Sequence, residues 1–556
     1  MKADLTRNTF NAFQHFDRVV LQQGRVQMDA DWNEQTAILL HYLRTLAADL
    51  IGPQGGPSAN WGFALQPFAA PLPVIPGDFR IGLGRYYVDG ILCEADSKAV
   101  SFTVPANGAN TIHVDEWTLD GAPFQINQLV ELFDDAELPN TTAAFSPTVV
   151  QISNIDEAHL TLTIQGAPAF NTPVAPKLRR VYSYLTQADF PVPKALALAT
   201  GDYLIYLDVW ERLITFVEDD AIREVALGGP DTAARARIVW QVKTLPGKPN
   251  PDSKLACDGF TPTDHSGYAN LLGLNRGLLK ARARQTSANT DPCIIPPNAS
   301  YTGPENQLYR VEIHRPGPVW DSTQNGQSTA ATFKWSRENG SVVFPILSLS
   351  SGNGTTTVVL ETLGRDDRFG LAEGNWVEIQ DDTYVLQNRA ESMLQVQSID
   401  RTSLTVTLTG SSTSGVATDL TRHPLLRRWD YQAGDPANGG LQLASDRAAL
   451  FTEQTAAWLT LENGVQIQFQ PPDAGQPAST YRTGDYWLIP ARTATGDVEW
   501  PTESELDTQG NTIIAALAKP PDGVDHHYAP LGVISVTPNG TTVTGDCRKQ
   551  FSPLAH

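Results

Sequence analysis

Several sets of residues in this 556-residue chain have types and spacings that could do chemistry. His526-His527 follow Asp525 with Asp522 nearby, and imidazoles flanked by carboxylates are donors a transition metal accepts. The run PPDGVDHHYAPLG has no second cluster at zinc spacing, so we read it as a surface loop. The stretch from Asp258 to Asp264 superficially resembles a calcium loop but lacks the alternating acids and terminal Glu of an EF-hand. Asp366-Asp367 and Asp381-Asp382 are carboxylate pairs of the kind glycoside hydrolysis uses. That chemistry needs two carboxyls facing each other across a cleft, which adjacency in sequence does not supply. The Trp-bearing segments Phe333 to Ser341 and Gly484 to Pro490 could stack on sugars, although packing is the commoner use of Trp.

Other catalytic signatures are missing. There is no Walker loop, GxSxG elbow, HExxH or strand-flanked GxGxxG. We therefore expect a non-enzymatic chain with no catalytic, cofactor-binding or metal-ligating residues and no cofactor. Lys+Arg 40 against Asp+Glu 61 leaves a net charge of −21, which disfavours nucleic acid and anionic membranes as partners. No apolar run approaches a bilayer span, so direct membrane insertion is not expected. Cys93, Cys257, Cys293 and Cys547 are widely spaced without a CxxC pair, and reduced thiols are the expectation. Between Lys98 and Lys177 lie nine acidic residues and no Lys or Arg. With Asp134, Asp135 and Glu137 clustered, this reads as a solvated acidic face, or more sharply as a docking face for a basic partner or Ca²⁺.

The elements that must position these residues are mostly strands. The 43 Gly and 39 Pro, with short apolar alternations, indicate a turn-rich β protein. One helix is expected over residues 29–52. Asp29 or Asp31 would be its N-cap, Glu34 completes a capping box, and Gly52-Pro53 ends it. Trp32, Leu39, Leu43, Leu46 and Leu50 fall on one face at a spacing that suits heptad a/d positions. That face either docks on the chain's own β domain or self-associates. A second helix is expected from Tyr268 to Arg284. Leu160, Leu162, Ile164 and Leu404, Val406, Leu408 alternate with Thr as half-buried strands do.

Laying the chain on itself reveals a duplication. Asn107-Gly108 through Asp115 matches Asn353-Gly354 through Glu361. Val130 to Asp135 matches Val377 to Asp382, and Ile155-Asp156 leading into Leu160–Ile164 matches Ile399-Asp400 leading into Leu404–Leu408. Pro176 to Arg180 matches Pro424 to Arg428, and Thr200-Gly201-Asp202-Tyr203 matches Thr483-Gly484-Asp485-Tyr486. The expected fold is mainly β: an N-terminal amphipathic helix followed by two tandem, internally duplicated β-barrel or β-sandwich-like modules. The boundaries we expect are 1–52 for a helical anchor, 53–250 for the first module (duplicated core about 105–210), 251–300 for a polar, helical connector, and 301–556 for the second (core about 351–492).

The run from His15 to Gln35, HFDRVVLQQGRVQMDADWNEQ, resembles the opening of a family of bacterial proteins of unassigned function, some encoded with phage-tail-like contractile injection systems. It is more loosely similar to certain tailed-phage structural proteins, which also carry a phrase like Gly84-Arg85-Tyr86-Tyr87-Val88-Asp89-Gly90. The phrases from Asp208 to Arg212, Glu224 to Thr232 and Glu305 to Glu312 resemble the same bacterial family, whose likeness runs over essentially the whole chain. The resemblance implies a structural component of a contractile, tail-like particle at or near the baseplate, as a cage, fibre-network or spike-associated element. It implies other tail or baseplate proteins as partners, and the duplication adds an expectation of self-association, with a trimer favoured, because three copies would present six similar modules. The start MKADLTRNTF has no h-region, so we expect synthesis in the bacterial cytoplasm without a signal peptide, with lysis as the route of release for a tail-like particle. The expected assembly surface comprises Phe16, Arg18, Gly24, Arg25, Asp29, Asp31, Trp32, Asn33, Glu34, Leu39, Leu43 and Leu46. The alternative is a particle-delivered cargo, or a carbohydrate-binding or glycan-cleaving protein.

Overall fold

Period-two burial makes strands the dominant regular element of the chain. The structure, a computed structural model, describes residues 1–68, 72, 75–103, 110–120, 122–135, 147–165, 175–190, 192, 197–247, 275–283, 300–321, 326–366, 368–412, 415–434, 440–506 and 510–552. Its most regular parts are two closed six-stranded barrels. The first contains β1 (Val100–Thr103), β2 (Thr111–Val114), β3 (Leu129–Asp134), β4 (Thr148–Asp156), β5 (Thr161–Gln165) and β6 (Pro176–Arg180). The second contains β7 (Val343–Gly352), β8 (Thr355–Leu360), β9 (Trp376–Gln380), β10 (Leu394–Asp400), β11 (Thr405–Thr409) and β12 (Leu425–Trp429). Around the first ring the order is β1-β2-β5-β4-β3-β6, and around the second it is β7-β8-β11-β10-β9-β12.

The duplication is therefore one of structure as well as wording. Val100, Phe102, Ile112, Val114, Val130 and Leu132 fill the first barrel where Phe344, Ile346, Val358, Leu360, Val377 and Ile379 fill the second. Each barrel has a bulge at the same place, between Ile152 and Asn154 in β4 and between Val396 and Ser398 in β10. In each, a buried glutamate faces an arginine across the ladder: Glu131 opposite Arg179, Glu378 opposite Arg427.

The expected alternations need one correction. Leu160 and Leu404 are not strand residues; each takes a left-handed turn conformation, at φ 51° and 54°, just before its strand. Their carbonyls accept from the amides of Val114 and Leu360, both at 3.0 Å, so the two turns close their barrels identically.

The chain divides into two compact units. One comprises 1–41, 211–237 and 273–525; the other comprises 42–210, 238–272 and 526–556. The first holds the second barrel and a five-stranded sheet whose centre is Gln307–Ile313 between Thr332–Ser336 and Tyr486–Arg492. Trp335, Trp429, Trp487, Phe333 and Phe469 make its core. The other holds the first barrel and a four-stranded sheet in which His527–Thr537 pairs with Gly201–Val209. The chain thus crosses the sequential boundaries expected at 53–250 and 301–556, because a late hairpin completes a sheet begun by residue 201.

Two further expectations are overturned. Leu278–Ala283, inside the helix expected over Tyr268–Arg284, is a strand paired with Val465–Gln470; Leu279, Ala281 and Ala283 are buried on alternate residues. Of the rest of that helix, Asn275, Arg276 and Gly277 are not helical, and residues 268–274 and 284, like most of the connector, lie outside the described residues. Cys547 is disulfide-bonded to a partner outside the described residues, so the thiols are not all reduced. Cys93 is free and buried, and burial pushes its thiol up to about 12.

Candidate assembly surface

The helix α1 spans Asp29–Ile51. Its start differs in detail from the capping box expected. Asp29 and Asp31 lie in the first turn, where carboxylates favour the helix dipole. Asp31 accepts from the Met28 amide at 3.4 Å, the reach-back half of a capping box. Glu34 instead accepts from the Thr9 hydroxyl, and Asp29 from the amide and hydroxyl of Thr6. Both acids tie the helix to the arm that precedes it. The helix ends at Gly52, whose φ of +90° suits glycine.

The apolar face of α1 is exposed. Trp32 is 73% exposed, Leu43 62% and Leu50 61%, with Leu39 and Leu46 both above half, whereas the buried residues are Ala30 and Ile38 on the opposite side. The arm before the helix continues the pattern, because Phe13, Phe16, Val20, Leu21 and Val26 are all more than half exposed. Exposed apolar residues in such number are what makes this segment a candidate interaction surface.

Of the other expected surface residues, Arg18 and Arg25 are exposed and make no ion pair among the described residues, so they do not fix register within the chain. Gly24 sits at φ +71° in an open turn, and Asn33 is exposed. In contrast, the C-terminal half of α1 is fixed from one side. A Cβ on Gly90, in the GRYYVDG phrase, would lie 2.0 Å from the Arg44 carbonyl oxygen.

What fixes the arm is a buried polar network that sequence reading missed. The Met1 amine donates to the Tyr486 hydroxyl at 2.7 Å, and Asn339 Nδ2 donates to the carbonyls of Met1 and Ala3 at 2.9 and 2.8 Å. Lys2 Nζ lies 2.9 Å from Glu312 Oε1, and Arg310 donates to Glu312 Oε2 at 2.6 Å. Lys334 donates to Glu378 Oε2 at 2.6 Å and to His314 Nδ1 at 3.2 Å, while the Tyr384 hydroxyl and Trp429 indole also donate to Glu378. His314 Nε2 faces the Glu391 carbonyl at 2.7 Å, which assigns its proton to Nε2.

Cations outnumber carboxylates here, and the titrations follow. Burial pushes the Lys2 ammonium down to about 8 against the pull of Glu312. Burial would raise Glu378, but Lys334 and His314 more than offset it and hold the carboxyl at about 2. Burial, then Lys334, lowers His314. Partners near Lys334 were hard to foresee, since the residues meet only once three strands pair in register.

The other residues with chemical promise are spent on structure. His526 Nδ1 faces Asp208 at 2.7 Å and His527 Nδ1 faces Asp89 at 2.9 Å, so the two imidazoles serve different carboxylates. Asp381 caps a short helix through the Tyr384 amide, and Asp382 faces Arg212 and His423. Asp366 accepts from the Phe369 amide at 2.9 Å; Asp367 lies outside the described residues, as do Asp258 to Asp264 and Glu137. Within the acidic stretch, Glu131 is held by Arg80 and Arg179, and Asp120, Glu116 and Asp135 by Arg180, Lys98 and Lys177. No group that could hold a metal occurs among the described residues.

Residues 1–167, 193–256 and 274–555 match a family of unknown function, DUF6519. The chain belongs to DUF6519. No curated protein and no solved structure matches it significantly. For a DUF6519 chain the arm and α1 thus stand out on physical grounds alone: an apolar stripe turned outward, on a segment whose first residues are locked into the core. No helix among the described residues is long and apolar enough to cross a membrane.

Proposed function

We propose that this chain is a structural component of a contractile, phage-tail-like particle, at or near the baseplate, and that the arm and α1 assemble it with copies of itself. The exposed stripe of α1 carries this reading. Burying Trp32, Leu39, Leu43, Leu46 and Leu50 would each add roughly 1–2 kcal/mol, given how much of each side chain is open. The spacing suits a second and third copy as occupants, because a/d positions on one helix complement the same positions on another. α1 is about 35 Å long, enough for three heptads. A trimer of a chain with two equivalent barrels presents six related modules, as a six-fold collar needs. The tail-particle context is supported by the resemblance of His15 to Gln35 and of Gly84 to Gly90 to tail proteins.

Light scattering of the full-length protein tests the assembly step. We expect a trimer, converted to a monomer by Leu43→Glu with Leu46→Glu while the circular dichroism spectrum and melting temperature stay unchanged. A monomeric parent protein overturns the self-association. Deleting residues 1–52 is the poorer experiment, because it also removes Lys2 from beside Glu312. The particle step is tested by purifying tail-like particles from a producing strain: the parent chain should sediment with them, and its absence from the particles sinks the reading.

A further inference from the structure

Within the unit built on 273–525, a cleft of about 750 Å³ opens beside the five-stranded sheet, walled by Arg282, Trp458, Trp335, Arg337, Glu462 and Gln466. Its walls carry two guanidiniums, Arg282 and Arg337, and two carboxylates, Asp430 and Glu462, but these are not paired one to one. Arg337 donates to Glu462 at 2.7 Å and approaches Asp430 at 3.9 Å, and Asp430 also meets Arg428 at 3.3 Å. The remaining carboxylate oxygens are already engaged: the Tyr309 hydroxyl donates to Glu462 Oε1 at 3.0 Å, and Ser336 and the Arg337 amide donate to Asp430 Oδ2. The two carboxylates are thus taken by Arg337 and by Arg428, which is not itself a lining residue. Arg282 is left over. Its guanidinium lies 4.0 Å over the Trp458 ring, its Nε donates to the uncharged Gln466 at 3.2 Å, and it makes no ion pair among the described residues. Burial lowers its pKa, and no nearby carboxylate opposes the shift. The indole N–H of Trp335, a side chain only 1% exposed, and the Nε of Arg337 have no hydrogen-bond partner.

The cleft is therefore rich in unmatched donors and poor in free acceptors. A guanidinium without a carboxylate partner matches a planar carboxylate through two parallel hydrogen bonds. The volume is in the range of small-molecule sites and far above that of a bare anion. Amide and hydroxyl groups from Gln432, Thr460 and Gln466 line it beside an aromatic ring, the mixture that suits a hydroxylated ring. We propose that this cleft binds an acidic sugar, with the sugar carboxylate on Arg282 and its hydroxyls on the amide and hydroxyl groups of the walls. The proposal is independent of the assembly reading, since no residue of the arm or α1 contributes to the cleft.

Calorimetric titration of the full-length protein with trigalacturonate tests it, with galactotriose as the neutral counterpart and sodium acetate as the bare carboxylate. We expect saturable binding of trigalacturonate alone, weakened about 10- to 100-fold by Arg282→Gln, the worth of one hydrogen-bonded charged contact. Trp458→Leu, which removes the ring beneath the guanidinium, should also weaken it, so the prediction stands on a second variant if the first fails to fold. Absence of saturable heat from trigalacturonate, equal binding of galactotriose, equal binding of acetate, or unchanged affinity in a folded Arg282→Gln protein would each overturn it.

Discussion

Glu378 shows how much of this molecule rests on single buried charges. Its carboxylate receives Lys334, Tyr384 and Trp429, and removing its charge leaves the Lys334 ammonium, in a site 2% exposed, with only the more distant Glu312 at 3.5 Å. Glu378→Gln should destabilise the folded state by about 3–5 kcal/mol in urea titrations at neutral pH. The sign of the pH dependence follows from the shift. With the folded carboxyl at about 2 and the usual value at 4.5, the unfolded chain binds the extra proton between those limits, so stability falls as pH falls through that window. His314, lowered from 6.5, acts in the same direction from a higher pH. The gap in stability between parent and Glu378→Gln should therefore narrow as pH drops from 4.5 towards 2; a gap independent of pH would mean that the ion pair is not what the substitution removes.

These residues were the least readable part of the sequence. Glu312, His314, Lys334 and Glu378 have no mutual spacing that a motif search could detect, because register between strands brings them together. Arg282 and Trp458 of the cleft were equally hidden, although Trp335 sits in a segment whose chemistry stood out.

Among the elements, α1 was read almost to the residue, because its apolar spacing and Gly52 are local signals. Which way its stripe faces was not readable, since that depends on what the tertiary structure leaves uncovered. Leu278–Ala283 was misread for the complementary reason. Leu, Lys, Ala and Arg are good helix formers, and pairing with Val465–Gln470 overrides their propensity. The turn at Gly90 gives a direct test of how α1 is held. Gly90→Ala places a methyl against the Arg44 carbonyl at a φ of +77°, and should cost about 2–3 kcal/mol in thermal or urea unfolding. A neutral result would mean that the helix moves away freely at residue 44. The barrels were readable because each strand repeats its inward positions, so that Leu162 and Ile164 reappear as Val406 and Leu408. Their closure was not readable, since Leu160 and Leu404 look like strand residues and act as turns.

For the whole molecule, the duplication extends to bulges and ladder partners, which points to two copies of one barrel that have kept a common frame while their surroundings diverged. Glu131 answers two arginines in one barrel, whereas Glu378 anchors a many-membered network in the other. The disulfide at Cys547 ties the final hairpin to the chain, and Cys547→Ser should lower stability by about 2–4 kcal/mol under oxidising conditions with no effect under strong reductant. Equal effects in both conditions would locate the loss in packing against Leu204 and Val533 instead.

The return of His527–Thr537 to the sheet begun at Gly201 also sets an order of events on the ribosome. His526 and its partner Asp208 are 318 residues apart, a delay of about 15–60 s at ordinary elongation rates. Throughout that interval the strand Gly201–Ile214 has left the exit tunnel with one edge bare, while the later-made residues to Asp525 can already complete their own sheet and barrel. The unit that holds the first barrel is thus finished last, and a nascent chain interrupted before residue 526 exposes a ready-made pairing edge. Such a fragment should accumulate in inclusion bodies or bound to chaperones, and supplying residues 526–556 as a separate peptide should rescue its solubility.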